Sequence, residues 1–544
     1  MNDATTLSSA PESPSGTRHF DAIVIGAGFG GLYMLRKLRD EMGLDVRGFD
    51  RASDVGGTWY WNRYPGALSD TESVVYRYSF DEDLLQEWKW NTRYLEQPQI
   101  LAYLRHVADR FDLRRSYEFE VGIASAAFDE EQAIWHLTTD TGERLSARFV
   151  VAAVGPLAAT NIPDIPGIDQ FEGEMFHTSK WPEKVDLGGK RVGVVGTGST
   201  GIQVITAIAP QVGHLTVFQR SPQYSVPVGN GPVSDEYLDE VYGNYPEIWE
   251  KTRSSAFAMG FPESKVPAMS VSDEEREAIF ERAWQKGGGF RYAFETFCDV
   301  LIDPEANHAA AEFIRRKIAQ IVKDPETARK LTPHDYYVKR PLCDSGYFAT
   351  YNRENVSLID VKANPIAAVT PRGIRLDDGT EIELDVIVFA TGFDAVDGNF
   401  KKIDIRGRNG LTLSDHWRDG AASYLSVATA GFPNMFMIAG PLMPFSNFPP
   451  LLEMQVGLVG ELIGQARKRQ SHVVETTLDA ENAWVEECAA IAGQMLLTKS
   501  DSWIFGANIP GKARRVLFHV GGVSMFQDRL AHVRAEDYAG FRFS

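Results

Sequence analysis

The sequence predicts an α/β fold with two Rossmann-like dinucleotide-binding domains and a helical insertion. Three observations carry that prediction. A strand–glycine turn–helix–strand unit surrounds Gly26, a second surrounds Gly196, and a charged, helix-forming stretch runs from about residue 222 to residue 335. A chain of 544 residues is too long for one compact core, and about three domains are expected.

Phe20–Gly26 is a short, almost continuous apolar run, as suits a strand buried on both faces. Glycines follow, then Leu32, Leu35 and Leu38 at helical spacing, and a second strand over Leu44–Asp50. An apolar strand, Phe149–Val154, precedes the second unit. That unit repeats the pattern with a strand at Arg191–Gly196, a helix through Ala209 and a strand at Leu215–Gln219. In the insertion, Ser272 with Glu275 forms a capping box ahead of Ile279, Phe280, Ala283 and Trp284. Asp303-Pro304-Glu305 and Asp324-Pro325-Glu326 each read as an N-cap followed by proline at the first helical position. Strands resume at Val356–Ile359, Gly373–Leu376 and Asp385–Ala390.

Composition narrows the function. Hydrophobic content of 44% with 24% charged residues is that of a globular protein, and a net charge of -19 argues against nucleic acid or an anionic membrane as partner. A phosphate-bearing ligand must then be held by local devices. Cys298, Cys343 and Cys488 form neither a CxxC pair nor a metal cluster, so no metal is expected and a reducing compartment fits. The first 18 or so residues, rich in Ser, Thr and Pro, read as a disordered tail without a signal-peptide pattern. No run reaches the roughly 20 apolar residues of a membrane span, and a cytoplasmic protein is expected.

The first unit reads Gly26-Ala27-Gly28-Phe29-Gly30-Gly31. Gly26 permits the tight turn, Gly28 lets backbone approach a pyrophosphate, and Gly31 lets the helix pack on the strand. Asp50, 24 positions after Gly26, can accept hydrogen bonds from both ribose hydroxyls. The second unit reads Gly196-Thr197-Gly198-Ser199-Thr200-Gly201, and the same 24 positions lead to Arg220, followed by Ser221. An acid there would repel a 2′-phosphate, whereas a guanidinium beside a hydroxyl would bind it. The first site therefore suits a plain adenosine and the second NADPH. Two dinucleotide sites in one chain suggest hydride transfer from NADPH to a flavin. Gly56-Gly57-Thr58-Trp59, with Trp61, would let backbone and aromatic rings lie against a flat ligand such as FAD.

Phe171-Glu172-Gly173-Glu174-Met175-Phe176-His177-Thr178-Ser179-Lys180-Trp181-Pro182 resembles the fingerprint of type I Baeyer–Villiger monooxygenases, FxGxxxHxxxW followed by Pro or Asp. Gly56–Gly66, Ala390–Asp394 and Ser502–Asn508 resemble further segments of that family, and the cyclohexanone monooxygenase branch is most similar. The resemblance runs from about residue 20 to the end. It implies a protein that uses FAD, NADPH and O2 to convert a cyclic or aliphatic ketone into a lactone or ester. Oxygenation of nitrogen or sulfur by a related flavin monooxygenase is the alternative. A monomer or weak homo-oligomer is expected.

By the same resemblance, Arg340 is the active-site arginine and Asp70 the acid that holds it near the flavin. Lys339 joins Arg220 and Ser221 at the 2′-phosphate. Read alone, Lys339-Arg340 would be a solvated charge pair and Asp70 a turn residue. The resemblance also implies cofactor contacts for Gly57, Thr58, Trp59, Tyr76, Gln203 and Trp503. It lines the substrate pocket with Leu157, Phe445, Ser446, Phe448 and Trp503. Gly440-Pro441-Leu442-Met443-Pro444 replaces the Gly-Pro-Asn-Gly-Pro of related enzymes, so Leu442 and Met443 are expected to affect substrate range. His177 is assigned a structural or domain-coupling role.

The expected divisions are 1–150 and 387–544 for the FAD-binding domain, 151–221 and 336–386 for the NADPH-binding domain, and 222–335 for the insertion.

Overall fold

The computed structural model describes residues 16–544, so most of the Ser/Thr/Pro-rich opening stretch lies outside the described residues. Strand β1 (Arg18–Ile25) leads through the glycine turn into helix α1 (Phe29–Arg36) and strand β2 (Val46–Asp50). The chain adds β3 (Tyr117–Phe119), β4 (Ile123–Asp129), β5 (Ile134–Thr139) and β6 (Arg144–Ala152). β6 pairs in parallel with β1 and antiparallel with β5. It begins earlier than the strand expected at Phe149, because its first half serves the β4–β5–β6 meander.

The second unit opens with β7 (Glu174–His177), inside the fingerprint, then β8 (Arg191–Val195), helix α2 (Ser199–Ile208) and β9 (His214–Gln219). The insertion contains α3 (Asp273–Lys286), α4 (Gly289–Phe294), α5 (Pro304–Ile321) and α6 (Pro325–Leu331). The expected N-caps are present, the Ser272–Glu275 box by its forward bond. Ser272 accepts from the Glu275 N–H, Asp303 from the Glu305 and Ala306 N–H groups, and Asp324 from the Thr327 N–H. Each satisfies an otherwise unpaired donor of a first helical turn.

Strands β10 (Val356–Asp360) and β11 (Val386–Phe389) complete a fully parallel five-stranded sheet in the order β10–β9–β8–β11–β7. Gly373–Leu376 stands apart in a small antiparallel sheet. The chain then returns to the first sheet with β12 (Asp404–Arg406) on β4 and β13 (Met435–Met437) on β6. Helix α7 (Phe448–Arg469) packs on α1. Residues 151–152 lie in a strand of the first sheet and residues 387–389 in one of the second, just across the expected divisions at 150 and 386.

Each sheet has its own apolar core. One gathers Ile23, Val24, Leu32 and Val151, and the other Val192, Val194, Ile202 and Val217. The two glycine turns follow each other in steric detail. Gly26 has φ +110° and Gly196 φ +107°, and an added Cβ would stand 2.3 Å from the Ala153 carbonyl oxygen or 2.5 Å from that of Ala390. Only glycine fits a turn pressed so closely against the next strand.

Candidate active site

At the first turn, the Gly56 N–H donates to the Ala27 carbonyl at 2.9 Å, docking the 56–57 segment against the glycine loop. Gly57 has φ +52°, and a Cβ there would lie 2.7 Å from Gly28 Cα. Asp50 ends β2, where its carboxylate accepts from the Ala27 N–H at 2.6 Å and the Ala52 N–H at 2.8 Å. Burial pushes its pKa up, and those two donors oppose the shift. A carboxylate has about four lone-pair sites, so two remain for a ribose. Trp59 is buried and donates from Nε1 to the Tyr76 hydroxyl at 3.1 Å, whereas Trp61 is exposed beside Tyr60. Thr58 is exposed at the start of a one-turn helix. This cradle of bare backbone with a carboxylate at one end fits a dinucleotide.

The second turn is open at Gly198, where an added Cβ would meet nothing within 4 Å. Ser199 and Thr200 begin α2, and Thr197 donates to the Ser221 carbonyl at 3.1 Å, fixing the turn against the residues after β9. Arg220 is exposed, and Lys339 pairs with Asp335 at 2.7 Å. The Asp501 carboxyl is held below the usual range first by Arg514 and further by Lys339 and Arg220. Arg220 and Lys339 thus both lie near the Asp501 carboxylate, two residues before Trp503. Gln203 has both ends of its amide bonded within the protein. It accepts from the Tyr64 hydroxyl at 2.8 Å and donates to the Leu68 carbonyl at 3.1 Å, tying α2 to the segment that leads to Asp70.

Asp70 and Arg340, 270 positions apart in sequence, form an ion pair with both side chains largely buried. The Arg340 guanidinium also lies 5.3 Å from the centroid of the Phe290 ring, a cation–π contact. Arg340 borders a narrow apolar cleft lined mainly by Phe257, Phe294, Phe445, Leu497, Ile504 and Val520. Phe257 and Phe294 stack at 3.8 Å and make one wall. A guanidinium cannot lose its proton near neutral pH, so this site offers fixed positive charge against an apolar volume.

Of the predicted substrate residues, Phe445 lines this cleft. Leu157, Ser446, Phe448 and Trp503 do not. Leu157 and Phe448 pack on the first core, Ser446 is buried with its hydroxyl turned to the Asn447 carbonyl, and Trp503 sets its ring edge on Phe518. Leu442 and Met443 are fully buried in that core and do not line the cleft. Phe257, Phe294 and Leu301 come from the insertion and carried no motif that could have revealed them.

His177 is buried at the end of β7. Its Nδ1 accepts from the Ser179 N–H at 3.1 Å, so the ring proton is on Nε2, which donates to the Gly392 carbonyl at 3.0 Å. Burial pushes its pKa down to about 4. Both nitrogens are engaged and the ring is neutral, which fits a strut better than a proton carrier. Trp181 is buried with its ring edge to Phe176.

The chain matches the flavin-binding monooxygenase-like family over residues 21–224. A Baeyer–Villiger monooxygenase of Pseudooceanicola batsensis is 55% identical over 519 residues, covering 95% of each chain. This chain belongs to the Baeyer–Villiger monooxygenase family. A phenazine N-monooxygenase of Lysobacter antibioticus is also 55% identical, over 96% of this chain and 97% of its own length. Among solved structures, cyclohexanone monooxygenase from Rhodococcus sp. Phi1 bound to NADP+ superposes with a TM-score of 0.96 at 56% identity, over 97% of this chain and 100% of that one. In this family setting, the fingerprint around His177 joins the two dinucleotide units, with β7 seated in the second sheet. No helix among the described residues is long and apolar enough to cross a membrane.

Proposed function

We propose that this Baeyer–Villiger monooxygenase uses FAD, NADPH and O2 to convert a cyclic or aliphatic ketone into a lactone or ester, releasing NADP+ and water. The observation that carries the reading is Arg340, paired with Asp70 and bordering an apolar cleft. Bound FAD and NADPH would supply oxygen activation and hydride. FAD is assigned to the first turn, with Gly26, Gly28, Gly31, Asp50 and Gly57, and NADPH to the second, with Thr197–Gly201, Arg220, Ser221 and Lys339. The FAD-binding domain then comprises the first sheet and its returning strands, and the NADPH-binding domain the five-stranded sheet.

The chain's own groups have separable tasks. Arg340 stabilises negative charge as it grows on the carbonyl oxygen, a term that reaches several kcal/mol in a dry site (about 2.7–4 for one donor). Asp70 aims the guanidinium and offsets its charge while the cleft is empty of anions. The aromatic and aliphatic walls exclude water, which strengthens that electrostatic term. His177 moves no proton, and couples the second sheet to the segment at Gly392. The three unpaired cysteines support a cytoplasmic protein, and a monomer or weak homo-oligomer is proposed.

Oxygenation of nitrogen or sulfur is the second reading, favoured by the Lysobacter relative. The test supplies the holoenzyme with cyclohexanone, NADPH and 18O2. Lactone carrying one 18O supports the proposal. NADPH consumption that responds to amines or sulfides and ignores ketones would favour the second reading.

A further inference from the structure

Glu72 and Arg291 have no role in the account above, yet each stands beside a partner of Arg340. Glu72 is two residues after Asp70, and Arg291 follows Phe290. Both are buried, with 5% and 9% of their surface exposed. The Glu72 carboxylate accepts from Arg291 Nε at 2.6 Å and Nη2 at 2.9 Å, a two-pronged contact that fixes direction as well as distance. Arg93 donates to the same carboxylate at 2.9 Å, and Arg291 Nη1 reaches Glu295 at 2.7 Å. Burial alone would push the Glu72 carboxyl up, but Arg291 and Arg93 hold it below its ordinary range, so the pair is ionic.

A buried ion pair is a poor source of stability, because desolvation offsets its attraction and an apolar pair of similar size often serves as well. What this pair does is join two elements. Helix α4, which carries Arg291, also carries Phe290 against the Arg340 guanidinium and Phe294 in the cleft wall. The start of α4 is pressed against the Arg340 segment, since a Cβ on Gly289 would stand 2.8 Å from the Leu342 carbonyl oxygen.

We infer that Glu72 and Arg291 are positioning residues for Arg340. By clamping the 70–72 segment to α4, they hold Asp70 and Phe290 on their respective sides of the guanidinium and keep its charge at the cleft. This rests on the reading of Arg340 given above.

The test compares wild-type holoenzyme with Glu72→Leu/Arg291→Met, which removes both charges together, and with Arg291→Lys, which keeps the charge and loses the fork. The double variant is expected to retain FAD and to be reduced by NADPH at the wild-type rate without oxygen. With ketone and O2, its hydrogen peroxide released per NADPH should rise about fivefold, since small misplacements of a catalytic group cost this much or more. Phenylglyoxal, followed by peptide mass spectrometry, should modify Arg340 about threefold faster once its clamp is loosened. Arg291→Lys should show both defects to a smaller degree, and it decides the matter if the double variant does not retain FAD. Wild-type labelling and wild-type coupling in a variant that retains FAD would overturn the inference. The labelling reports where Arg340 sits whether or not a ketone is oxidised, so failure of the clamp and failure of the functional reading are separate results.

Discussion

Replacing His177 with glutamine isolates what a buried, neutral histidine contributes. Glutamine can still accept and donate hydrogen bonds but cannot titrate. In the native fold, burial lowers the His177 pKa from 6.5 to about 4. The unfolded chain therefore binds a proton more readily than the folded one, and stability falls as pH falls below 6.5, levelling off near 4. Linkage with these values gives about 2 kcal/mol lost by the wild type between about pH 7.5 and about pH 5. For a chain of this length that is about 2 °C in melting temperature. His519, also pushed down to about 4 by burial, is present in both proteins and cancels in the difference. The assay is thermal melting of both holoenzymes at several pH values. The wild type should lose about 2 °C more than His177→Gln on acidification. Parallel melting curves would refute the reasoning and leave His177 free to carry protons. His177→Ala should lower turnover and coupling yet retain FAD, and complete loss of FAD would contradict its assignment as a structural strut at Gly392.

Two further predictions concern the nucleotide sites. Gly57→Ala places a Cβ 2.7 Å from Gly28 Cα at φ +52°, so FAD affinity should fall by about a hundredfold, from strain and clash together. Titration of the apoprotein with FAD, followed by flavin fluorescence, checks this, and an unchanged Kd would move FAD elsewhere. Arg220→Ala removes an exposed cation, so KM for NADPH should rise about tenfold with KM for NADH unchanged. Equal effects on both nucleotides would remove Arg220 from the 2′-phosphate.

The parts legible in the sequence were those set by local rules. The turns at Gly26 and Gly196 announce themselves because positive φ and a closely packed carbonyl exclude every other residue. Ser272, Asp303 and Asp324 announce helix starts because each satisfies amides within its own first turn. Asp70 and Arg340 became legible through resemblance alone, since nothing local links residues 270 positions apart. The cleft was mostly hidden. Phe257 and Phe294 come from the insertion and Leu497, Ile504 and Val520 from the tail, and tertiary packing alone brings them to Arg340. Leu442 and Met443 are buried in the first core, a placement that an apolar residue near a pocket segment can as readily take and that its sequence context does not reveal. Gln203, expected at the cofactor, also bonds Tyr64 and Leu68, long-range partners that its place in the glycine unit does not announce. The returning strands Asp404–Arg406 and Met435–Met437 are three residues each, too short for periodicity to show.

The most direct test of the central claim is Arg340→Met, assayed on a ketone and on a sulfide with the same holoenzyme preparation. Fixed positive charge is required where negative charge grows on a carbonyl oxygen, and has no such task when a sulfide is oxidised. Ketone oxidation should fall by about 10²–10³-fold, with anaerobic flavin reduction by NADPH retained and sulfide oxidation within about tenfold of wild type. Undiminished lactone formation by Arg340→Met would contradict the account.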